Sequence, residues 1–403
     1  MKTSLDHSSP GRGSGSMPSC EAAVEWLPVD CGNLPAIACI ARFQGNRGVT
    51  ECHVTVQLKS EATDPHTTLT KAWEHALKSA GITIPSTVFR RVFCSDVANQ
   101  SADLPDHLHA TSIIGQPPLP AAKLALWSYH LCDPDGAADI TSDANHTICR
   151  RGGLSHHWIT GLTAPCAGSS HEQTRRILEN HDAWLQSQGM TLADHVARTW
   201  WFVQNIDADY QGLVDARRDF FATRGLTADT HYIASTGIAG THPDLAAKVS
   251  LDSYAISGLR AEQLEFLGAT DHLCPTHDYG VTFERATAVS YADRRHVLIS
   301  GTASIDTAGR ILHEGDILGQ LDRTMENIEA LLAKAGANPG DLALILVYLR
   351  DPADGAVIDA ALRERLGAAP FILVHAAVCR PGWLIEIEGI AIVPAHCPDL
   401  PRF

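Results

Sequence analysis

The clearest chemical pattern in this sequence is a pair of glutamates inside an apolar stretch. Residues 384–392 read LIEIEGIAI, and the alternation predicts a β-strand in which Glu386 and Glu388 share one face while the isoleucines occupy the other. A solvent-facing edge of an antiparallel sheet would explain this pattern. Alternatively, a carboxyl group lines a cleft, where partial desolvation raises its pKa so that it can hold a proton at neutral pH and donate it to carbon or oxygen.

Two arginines are placed where they could bind an anion. Arg217 falls on the apolar face of a helix predicted over residues 210–223, so its guanidinium is expected to point inward. Its partner is either an internal carboxylate or the carboxylate of a ligand, and a snorkelling side chain is a further alternative. Arg350 follows a buried strand and could serve in the same way, or it could pair with Asp351 or Asp354.

Cysteine and histidine give no pattern typical of a metal site. The 11 cysteines include no C-x-x-C spacing, which argues against both a disulfide framework and a zinc knuckle. Cys379, just before the glutamate strand, is by itself best explained as a buried thiol. The 21 histidines show no H-E-x-x-H or comparable spacing, so neither a metal nor another cofactor is expected.

The composition predicts an ordinary globular chain. It has 403 residues, 45% of them hydrophobic, and a formal net charge of −15. This acid excess argues against nucleic acid as a partner, because phosphate neutralisation requires a basic surface. No apolar run approaches the roughly 18 to 20 residues of a membrane span, and no signal-peptide pattern is present, so a cytoplasmic protein without membrane contact is expected.

An internal repeat organises the C-terminal two thirds of the chain. Residues 173–189 and 320–336 both begin with Gln, contain Glu-Asn and end at Gly, and each is followed by a strand, a second helix and another strand. This succession predicts an α+β fold of two domains, each a mixed sheet with helices on one face. The predicted division is a loose lead-in over 1–33, a first domain with an insertion over 34–270, and a second domain over 271–403.

Longer motifs resemble two related groups of proteins. Over about residues 280–394 the chain resembles the RidA/YjgF family, through ISGTASID (299–306), Gly315–Asp316, Gln320, Glu326–Asn327, VYLRDPAD (347–354) and RPGWLIEIEGIAI (380–392). More narrowly, it resembles the chorismatases through FRRVFCSDVANQ (89–100), THYIASTGIAG (230–240), THDYGVTFERA (276–286) and VCRPGWLIEIEG (378–389). The resemblance implies two RidA-like domains, of the chorismate-mutase-like type, with an active site in the C-terminal one near their interface.

The chorismatase resemblance assigns roles to individual residues. It implies that Glu386 is the general acid, which protonates the enolpyruvyl group of chorismate so that pyruvate is released. It makes Cys379 a second catalytic candidate. The substrate-binding residues that it implies are Arg217, Arg350, Tyr210, Ala292, Tyr232 and Ser235.

The resemblance leaves the second product open. The family branch that forms 3-hydroxybenzoate is expected to carry Gly at position 292 and Cys at 379, whereas the branch that forms a dihydroxycyclohexadiene carboxylate carries Ala at the first of these. This chain combines Ala292 with Cys379. We give the thiol more weight because it can take part in proton transfer, so a hydroxybenzoate is favoured, with 3-hydroxybenzoate preferred and 4-hydroxybenzoate as the alternative isomer.

Other functions on the same scaffold compete with chorismate cleavage. A RidA-like imine hydrolase would use a carboxylate-binding arginine at a position where this chain has Ile372, which counts against that activity. A non-catalytic metabolite-binding protein is the other alternative. RidA proteins are trimers, but a duplicated chain can satisfy part of that packing internally, so a monomer is expected and a trimer is the alternative.

Overall fold

The computed structural model describes residues 24–45, 48–104, 109–143 and 145–403. Most of the predicted lead-in, residues 1–23, lies outside this part of the chain. Within the described residues, no helix combines the length and the apolar composition that crossing a membrane requires.

Three stretches of chain each build one six-stranded sheet. The first unit (24–132) contains β1 (Val24–Val29), β2 (Ala36–Gln44), β3 (Thr50–Leu58), α1 (Pro65–Ser79), β4 (Thr87–Cys94), α2 (Val97–Gln100), β5 (Ala110–Gly115) and β6 (Leu124–Cys132). The second unit (139–257) contains β7 (Asp139–Asp143), β8 (His146–Arg151), β9 (Leu154–Thr163), α3 (Ser170–Ser187), α4 (Leu192–His195), β10 (Val196–Val203), α5 (Ile206–Ala222), β11 (Ala234–Ala239) and β12 (Val249–Ser257). The third unit (264–394) contains β13 (Leu264–Leu267), β14 (Ala286–Ser290), β15 (Arg294–Ala303), α6 (Ile317–Lys334), β16 (Leu342–Leu349), α7 (Gly355–Leu366), β17 (Phe371–His375) and β18 (Ile385–Pro394).

All three sheets have the same topology. Numbered within its own unit, each sheet runs first, second, third, sixth, fourth, fifth. The fourth and fifth strands are parallel and the other neighbours are antiparallel, as in β16–β17 and β16–β18. The long helix after the third strand packs on one face of its own sheet. The predicted α+β class, with mixed sheets covered by helices on one face, is confirmed.

The described part of the chain contains three sheets of this kind, one more than the two domains predicted. Residues 34–270, which the sequence assigned to one domain with an insertion, carry most of the first unit and all of the second. The third unit begins at β13, before residue 271, and β1 lies inside the predicted lead-in 1–33. The first unit escaped detection because its second helix is reduced to the four residues of α2.

The glutamine shared by the two recognised repeats has a structural role. Gln173 of α3 donates its amide to Ala167 and Ala246 and accepts a hydrogen bond from the Lys248 N–H. Gln320 of α6 likewise donates to carbonyls of two loops and accepts from the Leu384 N–H. Each glutamine therefore ties the loop before its helix to the loop before the sixth strand.

The units join in a closed ring. The fifth strand of each unit, or its end, forms a β-bridge with the loop before the sixth strand of the next unit. The three bridges are Gly115 with Thr241, Ile238 with Val378, and Val374 with Pro118. The ring closes because the third unit returns to the first, as in a cyclic oligomer.

The closest buried ion pair across each of the three interfaces joins an arginine to a carboxylate. Between the first and second units Arg91 Nη2 lies 2.9 Å from Asp252 Oδ2, and between the second and third Arg198 Nη2 lies 2.6 Å from Glu388 Oε2. Between the third and first Arg294 Nη1 lies 2.6 Å from Glu51 Oε1. Because an unpartnered buried charge is costly, each pair specifies how neighbouring sheets must meet.

The substitution Arg91→Met tests the contribution of one such pair. The Arg91 side chain is fully buried, so its loss leaves the Asp252 carboxylate buried with the Gly161 N–H as its remaining hydrogen-bond partner. We expect the free energy of unfolding to fall by about 3 to 5 kcal/mol, measured by urea denaturation. Arg310→Met removes the pair between Asp306 and Arg310, whose side chain is 77% exposed; this variant is the control and should cost about 1 kcal/mol or less. Equal losses in both variants would contradict this prediction.

Candidate active site

A cavity opens between the second and third units. About 530 Å³ of space lies between its walls, part of it open to solvent. The second unit contributes Tyr210, Arg217, Ser235 and Gly237, and the third contributes the β15 backbone around Gly301 together with the loop before β18. Apolar wall comes from Val281, Phe283, Ile305 and Trp383. The cavity thus combines a few polar groups with an apolar lining, which is typical of a small-molecule site.

Glu386 projects into this cavity from the middle of the third sheet. Its strand β18 lies between β15 and β16, and the side chain is only 5% exposed. Among the described residues, no side chain or backbone group forms a hydrogen bond or an ion pair with its carboxyl group. Burial and then the nearby Glu388 charge raise the pKa of Glu386 to about 8, against the opposing effects of Arg198 and Arg285. Glu386 is therefore largely protonated at pH 7 and can act as an acid.

A glycine on the neighbouring strand makes room for this carboxyl group. Ala303 pairs with Glu386 across the β15–β18 ladder, and a shift in register between Ile299 and Thr302 leaves Gly301 opposite the side chain. A Cβ atom on Gly301 would lie 2.1 Å from Glu386 Oε1. A side chain at this position would displace the Glu386 carboxyl group, because that group occupies the space of the Cβ atom.

Glu388, on the same face of β18, is in the opposite situation. Its carboxylate accepts hydrogen bonds from Arg198 Nη2 at 2.6 Å, Trp200 Nε1 at 2.9 Å and the Tyr348 hydroxyl at 3.0 Å. The Thr236 hydroxyl also donates to it. Both glutamates are buried between units, so the alternative of a solvent-facing sheet edge is wrong.

Three arginines line the cavity without an internal carboxylate partner. Arg217 Nε donates to Thr282 at 3.1 Å and Nη1 to Ser235 at 3.4 Å, while the buried Nη2 has no partner. Arg285 Nη2 donates to the Cys274 carbonyl at 2.8 Å, and its buried Nε is unpartnered. The guanidinium of Arg380 stacks near the Tyr279 and Trp383 rings. No aspartate or glutamate of the described chain forms an ion pair with any of the three.

This arrangement favours an anionic ligand with more than one charge. Burial lowers the pKa of Arg217, because desolvation disfavours the charged guanidinium. A ligand carboxylate would supply the missing counter-charge and the missing hydrogen-bond acceptors. The ligand alternative that the sequence left open for Arg217 is therefore the one that the geometry favours.

Cys379 and Tyr210 lie side by side at the cavity wall. Burial, followed by the neighbouring Glu386, raises the pKa of the Cys379 thiol to about 12, although Tyr210 and Arg380 act in the opposite direction. Burial likewise raises the pKa of Tyr210 well above its ordinary value. Both groups are protonated at neutral pH, so the thiol is a weak hydrogen-bond donor rather than a thiolate nucleophile.

Three residues predicted to bind substrate do not line this cavity. Arg350 pairs with Asp207 at 2.8 Å, rather than with Asp351 or Asp354, because the start of α5 in the second unit lies against it. Tyr232 borders a separate cavity, where its N–H donates to Glu284.

Ala292 is displaced for a topological reason. It lies in the turn between β14 and β15, where its N–H donates to the Pro401 carbonyl, and it lines a different cavity. This turn is at the start of β15, whereas Gly301 lies near the end of that ten-residue strand. Its methyl group therefore does not shape the space around Glu386.

Three residues that build the site were not predicted from the sequence. Arg285 and Arg380 stand inside motifs that were recognised, THDYGVTFERA and RPGWLIEIEG, but nothing in their spacing marked them as inward-facing. Gly301 likewise lies within ISGTASID. The available signal was an arginine next to a β-strand in each motif, which is too common to identify a binding residue.

The equivalent positions of the other two units carry no acid. In the third unit, Glu386 pairs with Tyr348, the second-last residue of the fourth strand. The equivalent residue of another unit is the one that pairs with the second-last residue of that unit's fourth strand. That residue is Ala125 opposite Phe93 in the first unit and Ser250 opposite Phe202 in the second. The interface between the second and third units is thus the single one in the described chain with a glutamate at this position. Within the described residues no group of three or more His, Cys, Asp and Glu side chains is arranged to hold a metal ion.

The chain is similar to proteins of known families. Residues 285–393 match the family described as endoribonuclease L-PSP. Over 97 residues the chain is 35% identical to a RutC family protein of Pyrococcus abyssi, and the aligned region covers 24% of this chain and 76% of that protein. Over 279 residues it is 27% identical to the 3-hydroxybenzoate synthase of Streptomyces hygroscopicus, and the aligned region covers 62% of this chain and 80% of that protein.

A solved structure extends the likeness over most of the chain. The crystal structure of a chorismatase superposes with a TM-score of 0.59 at 19% sequence identity, covering 76% of this chain and 93% of that one. At this identity the superposition shows a shared fold. The resemblance to the RidA and chorismatase families that the motifs indicated is confirmed.

The unpaired state of Arg217 predicts a gain in stability when it is replaced. Arg217→Met keeps most of the side-chain volume and removes a buried charge that has no counter-ion in the described chain. We expect the free energy of unfolding of the unliganded protein to rise by about 1 kcal/mol or more, measured by urea denaturation. The matched control is Arg91→Met, where the same change breaks a buried ion pair and must destabilise. A loss of stability in Arg217→Met comparable to that in the control would contradict this prediction.

The raised pKa of Glu386 predicts how stability depends on pH. The ordinary pKa of the Glu386 carboxyl group is 4.5, and its pKa in the folded protein is about 8. Between these two pH values the folded protein keeps a proton that the unfolded chain releases. The stabilisation from this group is therefore complete below pH 4.5 and is lost as the pH rises to about 8. Glu386→Gln cannot titrate. Its free energy of unfolding relative to the parent should therefore increase from about pH 5 to about pH 8 by up to a few kcal/mol. Glu364→Gln, at an exposed position of α7, is the control, and parallel profiles for parent and Glu386→Gln would refute the expectation.

Proposed function

Because the chain belongs to the RutC family through its third unit and resembles chorismatases over most of its length, we propose that it cleaves chorismate into pyruvate and a ring product. The observation that carries this proposal is the Glu386 carboxyl group, buried, protonated at neutral pH and unpartnered, in a cavity with three arginines that lack carboxylate partners. The cavity supplies an acid and a set of cations, and chorismate needs both.

The charges of the cavity match those of the substrate. Chorismate carries two carboxylates and an enolpyruvyl ether, and Arg217, Arg285 and Arg380 offer guanidinium groups on different walls. Bidentate contacts with planar carboxylates would fix the orientation of the ether relative to Glu386. The remaining apolar wall excludes part of the water from the reacting atoms.

The proposed chemistry begins with proton transfer to carbon. Glu386 donates its proton to the methylene carbon of the enolpyruvyl group, and the ether carbon becomes an oxocarbenium ion. The reaction converts Glu386 into a carboxylate beside this cation, so the same group stabilises the charge that it creates. The carbon–oxygen bond to the ring then breaks, so that pyruvate leaves and the ring becomes a cation. Migration of the ring hydroxyl oxygen to the adjacent cationic carbon, with return of a ring proton to the Glu386 carboxylate, gives 3-hydroxybenzoate without net uptake of water, and loss of the proton without that migration gives 4-hydroxybenzoate. Capture of the cation by water instead gives pyruvate and a dihydroxycyclohexadiene carboxylate.

We propose the hydroxybenzoate branch, with 3-hydroxybenzoate as the favoured isomer. Of the two positions that gave a mixed pattern in the sequence, Cys379 lines the cavity and Ala292 does not, so the thiol is the one that can affect the product. The Cys379 thiol keeps its proton at neutral pH, so it can donate a hydrogen bond to the ring product during aromatisation. The similarity to a 3-hydroxybenzoate synthase supports the same branch.

Two further expectations remain part of the proposal. A RidA-like imine hydrolase is disfavoured because Ile372 is buried in the core and does not line the cavity. We also propose that the protein acts as a monomer, because the three units already close a ring within one chain. The sequence-based expectation of a cytoplasmic location stands beside these proposals.

Turnover of chorismate tests the proposed function. We expect the purified protein to release pyruvate from chorismate, with 3-hydroxybenzoate in the aromatic fraction separated by chromatography. Because the reaction needs protonated Glu386, kcat/KM should fall as pH rises above about 8. Glu386→Gln should lower kcat/KM by about 100-fold to 10,000-fold, while Glu364→Gln should not change it. Hydrolysis of 2-imino acids by a protein that leaves chorismate intact would refute the assignment.

A further inference from the structure

Glu388 is the most heavily hydrogen-bonded carboxylate near the cavity, although it does not line it. Its four donors come from three different strands: Arg198 and Trp200 from β10, Thr236 from β11, and Tyr348 from β16. Arg91 of the first unit approaches the same carboxylate at 3.9 Å. All three units therefore contribute to the position of one side chain.

The Thr236 hydroxyl connects this group to the floor of the cavity. It donates to Glu388 and accepts from Arg198. It also accepts from the Gly301 N–H at 2.9 Å. Gly301 is the residue whose missing side chain leaves room for Glu386 Oε1. A chain of direct contacts thus runs from Glu388 through Thr236 and Gly301 to the carboxyl group of Glu386.

Several charged or titratable groups face Glu386 from the elements around it. They are Glu388 on β18, Arg198 on β10, Arg285 before β14, Tyr210 on α5, Cys379 in the loop before β18, and Tyr348, the register partner of Glu386 on β16. Glu388 is the one carboxylate among these groups. Arg198 is committed to it by a hydrogen bond, so the pair offers Glu386 a nearby negative charge and a cation that is already neutralised.

We propose that Glu388 and Thr236 are positioning residues, which hold the Glu386 carboxyl group in place over Gly301 and keep it protonated until substrate binds. This inference builds on the proposed function, because it describes what prepares the acid. The raised pKa of Glu386, to which Glu388 contributes after burial, is consistent with it. Glu388 itself acts through Glu386 and does not contact the substrate.

The first experiment measures the protonation of Glu386 directly in the Glu388→Gln variant. Gln is isosteric, but it removes the negative charge and leaves Arg198 without a counter-ion, and both effects favour the ionised form of Glu386. We expect the carboxyl group to titrate lower by about one pH unit or more, followed by the infrared band of the protonated acid without any ligand. The double variant Glu386→Gln/Glu388→Gln assigns this band, and the high-pH limb of kcat/KM should shift by the same amount.

The outcomes separate this inference from the proposed function. If Glu386 titrates lower in Glu388→Gln but chorismate is never turned over, the positioning role stands and the proposed function fails. If chorismate is turned over while the titration and the high-pH limb are unchanged in Glu388→Gln, the positioning role is overturned.

A second pair of variants decides the matter should Glu388→Gln fail to fold. Thr236→Val removes the hydroxyl at nearly constant volume, and Thr236→Ser retains it. We expect Thr236→Val to lower kcat by about 10-fold or more with KM nearly unchanged, and Thr236→Ser to restore most of kcat. Equal kcat values for Val and Ser, or a loss confined to KM, would overturn the inference.

Discussion

The buried ion pair between Arg198 and Glu388 is the interaction on which the site depends. Two carboxyl groups stand two residues apart on one face of β18, and they share one nearby guanidinium from β10. Since Arg198 bonds to Glu388 at 2.6 Å, Glu386 is left buried, and no cation of the described residues bonds to it. A carboxyl group in this position responds to its surroundings by keeping its proton. The acid of the site is thus a consequence of how its neighbour is paired.

The closed ring of three units explains why such a pairing can occur. Glu388 belongs to the third unit and its donors Arg198, Trp200 and Thr236 to the second, so the contact exists only when the two sheets meet. The same ring creates three equivalent interfaces, but the position of Glu386 is occupied by Ala125 and Ser250 in the other two units. Among the described residues, divergence of the repeats has therefore left one interface with a glutamate at this position and two without.

The cavity contains buried arginine charges that form no ion pair within the described part of the chain. Arg217 and Arg285 are buried with unpartnered nitrogens, which is unfavourable for the unliganded protein. In the proposed reaction the substrate carboxylates satisfy these groups, and part of the binding energy goes into orienting the ether over Glu386. The three interface ion pairs specify how the units meet, and in the proposed reaction the site is completed when a dianion binds.

The sequence alone determined the local features of this protein: the glutamate strand with its two-sided pattern, the inward face of Arg217 and the duplicated helices with their glutamines. These follow from periodicities along one element, which the order of residues contains directly. Tertiary structure decided which of two equivalent glutamates is unpaired, that Arg285 and Arg380 rather than Arg350 face the cavity, and that the sheets number three. Those outcomes depend on contacts between residues far apart in the chain, such as Arg198 and Glu388, which are 190 positions apart. Such contacts leave no spacing signal in a single sequence.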